Sequence, residues 1–117
     1  MKEDSTKTAL GNIKIHKNVL ISTAYIAVLE TEGVYGFYVN TRDEIYKMFN
    51  KDFKPGVVIS LDKNNEIIII LSVIVKYGYN ISSVAAKIQE NVRFAIDKIV
   101  EANIKDINVI IKGLERR

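Results

Sequence analysis

The chain has 117 residues, a mass of 13.3 kDa and 48% hydrophobic residues, a composition that suits one compact domain. It contains no cysteine, which excludes disulfides, thiolate nucleophiles and cysteine-bound zinc. Its formal net charge of +3 is mildly basic and well below that of a nucleic-acid-binding tail.

The start of the chain is polar. Residues 1–10 are charged and lack periodicity, so we predict a disordered N-terminal arm rather than a signal peptide, followed by one domain at 11–117. Gly11–His16 alternates apolar and polar residues, which predicts a short strand. Asn18 is then expected to cap a helix that runs to about Glu30 and is stopped by Gly33.

The next part of the chain is less regular. Gly33-Val-Tyr-Gly36 predicts an irregular bend, and Thr41 or Asp43 predicts the start of a short helix. That helix carries three apolar residues at helical spacing, which are Ile45, Met48 and Phe49. A Pro-Gly pair at 55–56 then ends this segment.

Two runs of β-branched residues predict a hairpin. They are Val57–Leu61 and Glu66–Tyr77, and the Asp- and Asn-rich residues between them favour a turn. The longest apolar run, at 67–75, is much shorter than the about 20 residues that a membrane helix needs. Gly78 and Asn80 are expected to end the second strand and to cap the following helix.

The principal helix is predicted from Ile81 to about Glu101, because its apolar residues form one stripe at three- and four-residue spacing. A last strand alternates from Ile104 to Lys112. The order β-α-(short α)-β-β-α-β predicts an α+β fold, a two-layer sandwich with the helices packed on one face of a small sheet. The pattern leaves the strand order open.

The second hairpin strand is apolar on both faces. Its odd positions are predicted to face the helices, and the expected contacts are those of Ile88, Val92 and Ile96 with Ile69, Leu71 and Val73. The even positions are also mostly apolar, and a two-layer sandwich leaves that face uncovered unless the N-terminal arm or the 37–50 segment folds over it. We therefore predict a protein-contact surface formed by Val58, Ile68, Ile70, Ile74 and Ile110, with a two-fold dimer as its simplest use.

The sequence offers little catalytic chemistry. His16 is the single histidine, and we interpret it as a surface residue. Acidic pairs lie at predicted helix ends and turns, where acidic side chains have structural roles. The phosphate-binding motifs GxxxxGK[ST] and GxGxxG do not occur. We therefore predict a protein that is not an enzyme, with no metal, no cofactor and no small-molecule substrate.

One alternative is a KH-like nucleic-acid-binding module that uses the Gly33-Val-Tyr-Gly36 loop. A KH loop normally joins two helices and carries a basic residue, whereas the variable pair here is Val-Tyr. The charges of the principal helix are also balanced, not of one sign. We favour a helix end followed by a bend, and nucleic acid is not the partner we expect.

Segments spread over residues 11–114 match a known pattern. They include Gly11-Asn-Ile-Lys-Ile, Glu32-Gly-Val-Tyr-Gly36, Pro55-Gly-Val57, Ile88-Gln-Glu-Asn-Val92, Ile107-Asn-Val109 and Lys112-Gly113. The most specific is Val75-Lys-Tyr-Gly-Tyr-Asn-Ile-Ser-Ser-Val-Ala85. With them the chain resembles the alkaline shock protein family of bacterial envelope stress response proteins. The loop residues of the motif are Gly33, Gly36, Tyr77, Gly78 and Asn80.

The resemblance implies a non-enzymatic protein of Gram-positive bacteria, and it supplies no catalytic residues. Some family members are held at the membrane by a separate anchoring protein, and others are short single-domain proteins encoded near lipid or fatty-acid metabolism genes. This chain resembles the short kind. The expected role is an envelope stress or scaffold protein that self-associates or binds a protein partner, a membrane-anchoring protein being one candidate. The expected location is cytoplasmic, or peripheral at the membrane through that partner.

Overall fold

A computed structural model describes residues 17–49, 54–99 and 103–116. The predicted N-terminal arm, the predicted strand at 11–16 and His16 lie outside the described residues. The elements in chain order are α1 (17–29), β1 (Val34–Phe37), α2 (Thr41–Phe49), β2 (Val57–Leu61), β3 (Ile67–Lys76), α3 (Ile81–Asp97) and β4 (Ile104–Glu115). The predicted α+β class is confirmed.

The longest apolar strand, β3, forms the centre of a four-stranded sheet. Strands β2 and β1 pair antiparallel with its first and second halves, and β4 pairs parallel with its whole length. The β2–β3 register places Val58 opposite Ile70, as a hairpin closed by a short turn requires. Parallel pairing needs a crossover connection, and α3 is that connection between β3 and β4.

The core lies between one face of the sheet and two helices. The odd positions of β3 are buried, and α3 buries Val84, Ile88, Val92 and Ile96 in the same cluster. Helix α1 adds Leu20, Ala24, Ala27 and Val28 to it. The predicted stripe of α3 and the predicted inner face of β3 are therefore confirmed as parts of one core.

Several element boundaries differ from the prediction. The first helix already includes Lys17, so Asn18 lies within it and is not its N-cap. Helix α3 ends at Asp97 in a tighter turn, in which the Ile99 N–H donates to the Ile96 carbonyl oxygen at 3.0 Å. The predicted stripe is consequently shorter, because Ile81 and Ile99 at the two ends are exposed.

The segment predicted to be irregular contains strand β1. Val34, Tyr35 and Phe37 have high strand propensity, and they pair with the second half of β3 across a bulge between Val34 and Gly36. Gly36 therefore lies in a strand, and the predicted bend there is wrong. Helix α2 begins at Thr41 as predicted, but among the described residues of the core none comes from α2.

The β2–β3 turn is held by the carboxylate of Asp62. Its Oδ1 accepts the N–H of Asn64 at 2.8 Å and of Glu66 at 2.9 Å, and its Oδ2 lies 3.3 Å from Lys105 Nζ. The hydrogen bond from the Glu66 N–H is the main cause of a lowered pKa of Asp62, and the Asn64 N–H and Lys105 act in the same direction. Asp62, one of the acidic residues that the sequence places in a turn, therefore has a structural role.

Replacing Asp62 with asparagine should lower stability at neutral pH and change its acid dependence. Because the pKa of Asp62 is lower in the folded than in the unfolded chain, its contribution is complete above the unfolded pKa and is lost as pH falls through the folded pKa. The difference in unfolding free energy between wild type and Asp62→Asn should therefore shrink in acid, as measured by urea denaturation at stepped pH. A difference that stays constant throughout the acid range would contradict this account.

Candidate protein-contact surface

The five residues of the predicted contact surface lie together on the sheet face opposite α1 and α3, which we name the outer face. Ile70 is central, because its Cα partners are Val58 on β2 and Asn108 on β4. On either side of it along β3, Ile68 pairs with Asp106, and Ser72 pairs with Ile110. Ile74 completes the row between Gly36 of β1 and Gly113 of β4.

These residues are accessible to different degrees. Val58 and Ile110 on the flanking strands are 54% and 43% exposed, whereas Ile68, Ile70 and Ile74 on the central strand are partly buried. The odd positions of the same strand are buried by the helices. Within the part of the chain that the structure describes, alternation therefore separates a face covered by helices from an apolar face that no helix covers.

A pair of side chains that was not predicted from the sequence crosses the outer face between Ile70 and Ile74. The Tyr38 N–H donates to the Ser72 carbonyl oxygen at 3.0 Å, which places Tyr38 beside β3 on the β1 edge. Lys112 comes from β4 on the opposite edge, yet its Nζ lies 5.2 Å from the centre of the Tyr38 ring. The pair therefore spans β3 near Ser72. Successive side chains of a strand point to opposite faces, and Phe37 packs against the core. This alternation could have predicted that Tyr38 lies on the outer face.

The charges around the outer face change sign along β3. Asp106 lies beside Ile68 at one end, whereas the other end, near Ile74, has Lys112 and Lys76, with Glu115 opposite Lys76. The centre, around Ile70, is apolar apart from Ser72 and Asn108. Such a face offers an apolar centre bordered by polar groups, which is the organisation of a protein interface.

The glycines of the family motif form a junction at the end of the sheet. Gly33 and Gly78 have φ values of +95° and +99°, which side-chain-bearing residues rarely adopt. The Gly33 carbonyl oxygen accepts the Lys76 N–H at 2.8 Å, which joins the end of α1 to the end of β3. Gly36 belongs to β1, so Gly33-Val-Tyr-Gly36 is a turn and a strand and does not form a loop between two helices.

The remaining motif residues complete the same junction. Asn80 is the N-cap of α3, as predicted, and its Oδ1 accepts the Ser83 N–H at 2.9 Å. Tyr77 is exposed, and its ring lies 4.9 Å from the Arg116 guanidinium. The motif residues lie near the end of β3, away from Ile70 at the centre of the outer face. Their contacts show a structural role for Gly33 and Asn80.

No group of three or more His, Asp or Glu side chains in the described part of the chain is arranged to hold a metal ion. Helices of the length and apolar composition needed to cross a membrane are absent from residues 17–49, 54–99 and 103–116.

The family model for alkaline shock protein 23, described as a family with a cell envelope-related function, matches residues 5–116. The chain belongs to this family. The resemblance drawn from the motif segments is thereby confirmed, together with the cell-envelope relation of the family. The loop residues Gly33 and Asn80 of the alkaline shock protein motif thus belong to the junction at the end of the sheet. The outer face lies on the same sheet.

Three relatives illustrate the family. The chain is 31% identical to the uncharacterized protein YqhY of Bacillus subtilis over 98% of its own length and 85% of that protein's. It is 25% identical to the uncharacterized protein YloU of the same organism, over 92% of both chains. It is 26% identical to the uncharacterized protein Spy1535 of Streptococcus pyogenes, over 93% and 83% of the two lengths. No solved structure matches the chain.

Proposed function

We propose that this alkaline shock protein family member is a non-catalytic binding module that takes a protein partner on its outer face at the cytoplasmic side of the cell envelope. The observation that carries the proposal is the partly exposed apolar row Ile68, Ile70 and Ile74, which no described helix covers and which Val58 and Ile110 continue on the neighbouring strands. The envelope relation of the family supports the setting. The sequence contains no cysteine and no phosphate-binding glycine motif, which supports a binding role over a catalytic one.

The apolar composition of the outer face supports this role. An exposed apolar patch of a few hundred Å² is near the limit that soluble monomers carry without using it. Burial at about 25 cal/mol per Å² would contribute several kcal/mol to association before the entropy cost of association is subtracted. Because the charges lie at the ends of the face, a partner can cover the centre without burying an unpaired charge.

Placing a charge at the centre of the outer face should abolish binding. We expect Ile70→Lys to keep its circular dichroism spectrum, because Ile70 points away from the helices, and to lose self-association in sedimentation and partner capture from an envelope fraction. Ala86→Lys is the matched control, since it adds the same charge at an exposed position of α3, on the other side of the molecule. It should leave both measurements unchanged.

A second variant keeps this test decisive. If Ile70→Lys does not fold, Ile70 belongs to the core, and Val58→Lys, at a more exposed position of the same face, carries the test. Full binding by a folded variant of either kind would contradict the proposal. Binding to single-stranded RNA that weakens steeply with salt would instead support the KH-like alternative.

A further inference from the structure

Helix α2 is a well-formed helix whose apolar side is exposed among the described residues. Its start is fixed by reciprocal hydrogen bonds, in which Asn40 Oδ1 accepts the Asp43 N–H at 2.8 Å and Asp43 Oδ2 accepts the Asn40 N–H at 3.3 Å. The three apolar residues at helical spacing, Ile45, Met48 and Phe49, are 52%, 79% and 85% exposed. An apolar stripe on a helix normally packs against another helix or a sheet.

We propose that the stripe of α2 in one copy of this chain covers the outer face of a second copy, and that the exchange is reciprocal. The inference rests on the proposed function of the outer face and names its occupant. In the described residues, each chain presents one exposed helix stripe and one sheet face that no helix covers. A two-fold dimer satisfies both surfaces of both chains in one closed assembly.

The dimensions of the two surfaces agree. The nine residues of α2 extend about 13 Å at 1.5 Å per residue. The row from Ile68 to Ile74 extends about 20 Å at 3.3 Å per residue. The Tyr38–Lys112 pair crosses this row near Ser72, about 13 Å from Ile68, so one short helix fits between the pair and Ile68 and turns the two-layer sandwich locally into three layers.

The charges fix the direction of the helix on the sheet. The first turn of α2 carries Asp43 and Glu44, whereas the outer face near Ile74 has Lys76 and Lys112, with Glu115 opposite Lys76. Placing that first turn beside the lysines pairs opposite charges and keeps the acids away from Asp106 at the other end. This direction lays Met48 and Phe49 toward Ile70 and Ile68.

The dimer contains two such contacts related by symmetry. A standard stable interface buries about 1,600 Å² in total, so each helix-on-sheet contact needs to bury about 800 Å² counted over both chains. Exposed Phe49 and Met48 are large side chains that can supply much of this area on the helix side. Two contacts of this size would together make a standard interface, whereas a single one would be small.

Disulfide cross-linking tests which surfaces meet. The chain has no cysteine, so an introduced pair reports on one contact only. We expect a mixture of Phe49→Cys and Ile70→Cys chains to form the mixed disulfide dimer faster than either chain forms a dimer with itself. Ala86→Cys mixed with Ile70→Cys is the matched control and should form little mixed dimer.

Complementation tests the reciprocal exchange independently. Phe49→Lys and Ile70→Lys chains should each associate at least tenfold more weakly than wild type, because neither homodimer has an intact contact. A mixture of the two should form a heterodimer more tightly than either variant forms a homodimer, but more weakly than wild type. One of its two contacts is intact, because the α2 stripe of the Ile70→Lys chain still fits the outer face of the Phe49→Lys chain. The two substitutions introduce the same charge, so the recovery cannot come from a new ion pair. A sheet-on-sheet dimer would show no recovery.

The outcomes separate this inference from the proposed function. If Phe49→Lys associates normally and Ile70→Lys does not, the outer face binds something other than α2, and only the inference is overturned. The double variant Phe49→Cys/Ile70→Cys could also form a disulfide within one chain while the wild type is monomeric. That result would show that α2 covers the sheet of its own chain, and it would overturn the inference as well. Binding of monomeric wild type, but not of Phe49→Lys, to phosphatidylglycerol vesicles would assign α2 to a membrane surface instead. Unchanged association of folded Ile70→Lys would contradict both proposals.

Discussion

Replacing Ile88 with alanine should lower the free energy of unfolding by about 2–5 kcal/mol, the usual cost of a large-to-small change in a closed core. Ile88 is completely buried on α3 and belongs to the same cluster as Ile69 and Leu71 of β3. The cavity would lie between the principal helix and the central strand, where regular elements on both sides limit relaxation. Urea denaturation monitored by circular dichroism measures the change.

The matched control is Ile99→Ala, which removes the same atoms beyond the end of α3. Ile99 is exposed, so its truncation should cost well under 1 kcal/mol. A loss below about 0.5 kcal/mol for Ile88→Ala would show that α3 does not pack on the sheet as described.

Gly33→Ala should destabilise the protein by about 2–5 kcal/mol, because two costs act at one position. The φ of +95° is strained for any residue with a side chain. A Cβ built on Gly33 would also lie 2.7 Å from Val84 Cγ2 and 2.9 Å from Tyr79 Cδ2. Relief would require movement of the first turn of α3 or of the motif loop. Thermal and urea denaturation should both report the loss.

Gly36→Ala is the control for this prediction. A Cβ at Gly36 would meet no atom within 4 Å, and its φ is not in the left-handed region. Its effect should therefore be within about 0.5 kcal/mol of zero. Equal losses for the two glycines would mean that the motif glycines are needed for a reason other than the local geometry at Gly33.

The sequence predicts local structure well in this chain because the local signals are strong. The β2–β3 hairpin is readable from two β-branched runs and an Asp-initiated turn, and Asn80 marks the start of α3. The parallel pairing of β4 with β3 is not readable in this way, since it depends on contacts between distant segments. Strand β1 was missed for the same reason, because four residues with a glycine form a strand only when the edge of β3 is available.

The candidate surface could be predicted in part. Alternation along β3 identified Ile68, Ile70 and Ile74, and the structure brings Val58 and Ile110 to the same face. Whether that face binds a partner stays a prediction. The exposed stripe of α2 could not be found from periodicity, because the same spacing describes a stripe that packs in the core of its own chain.

The most direct test of the central claim, that the outer face is a contact surface, is isoleucine methyl NMR of the wild-type protein. Spectra recorded at increasing protein concentration, and again after addition of an envelope extract, report on each isoleucine separately. We predict that the methyl signals of Ile68, Ile70, Ile74 and Ile110 shift or broaden, whereas those of the buried Ile69, Ile88 and Ile96 do not. Unchanged outer-face signals in both series, or changes confined to isoleucines elsewhere, would contradict the account.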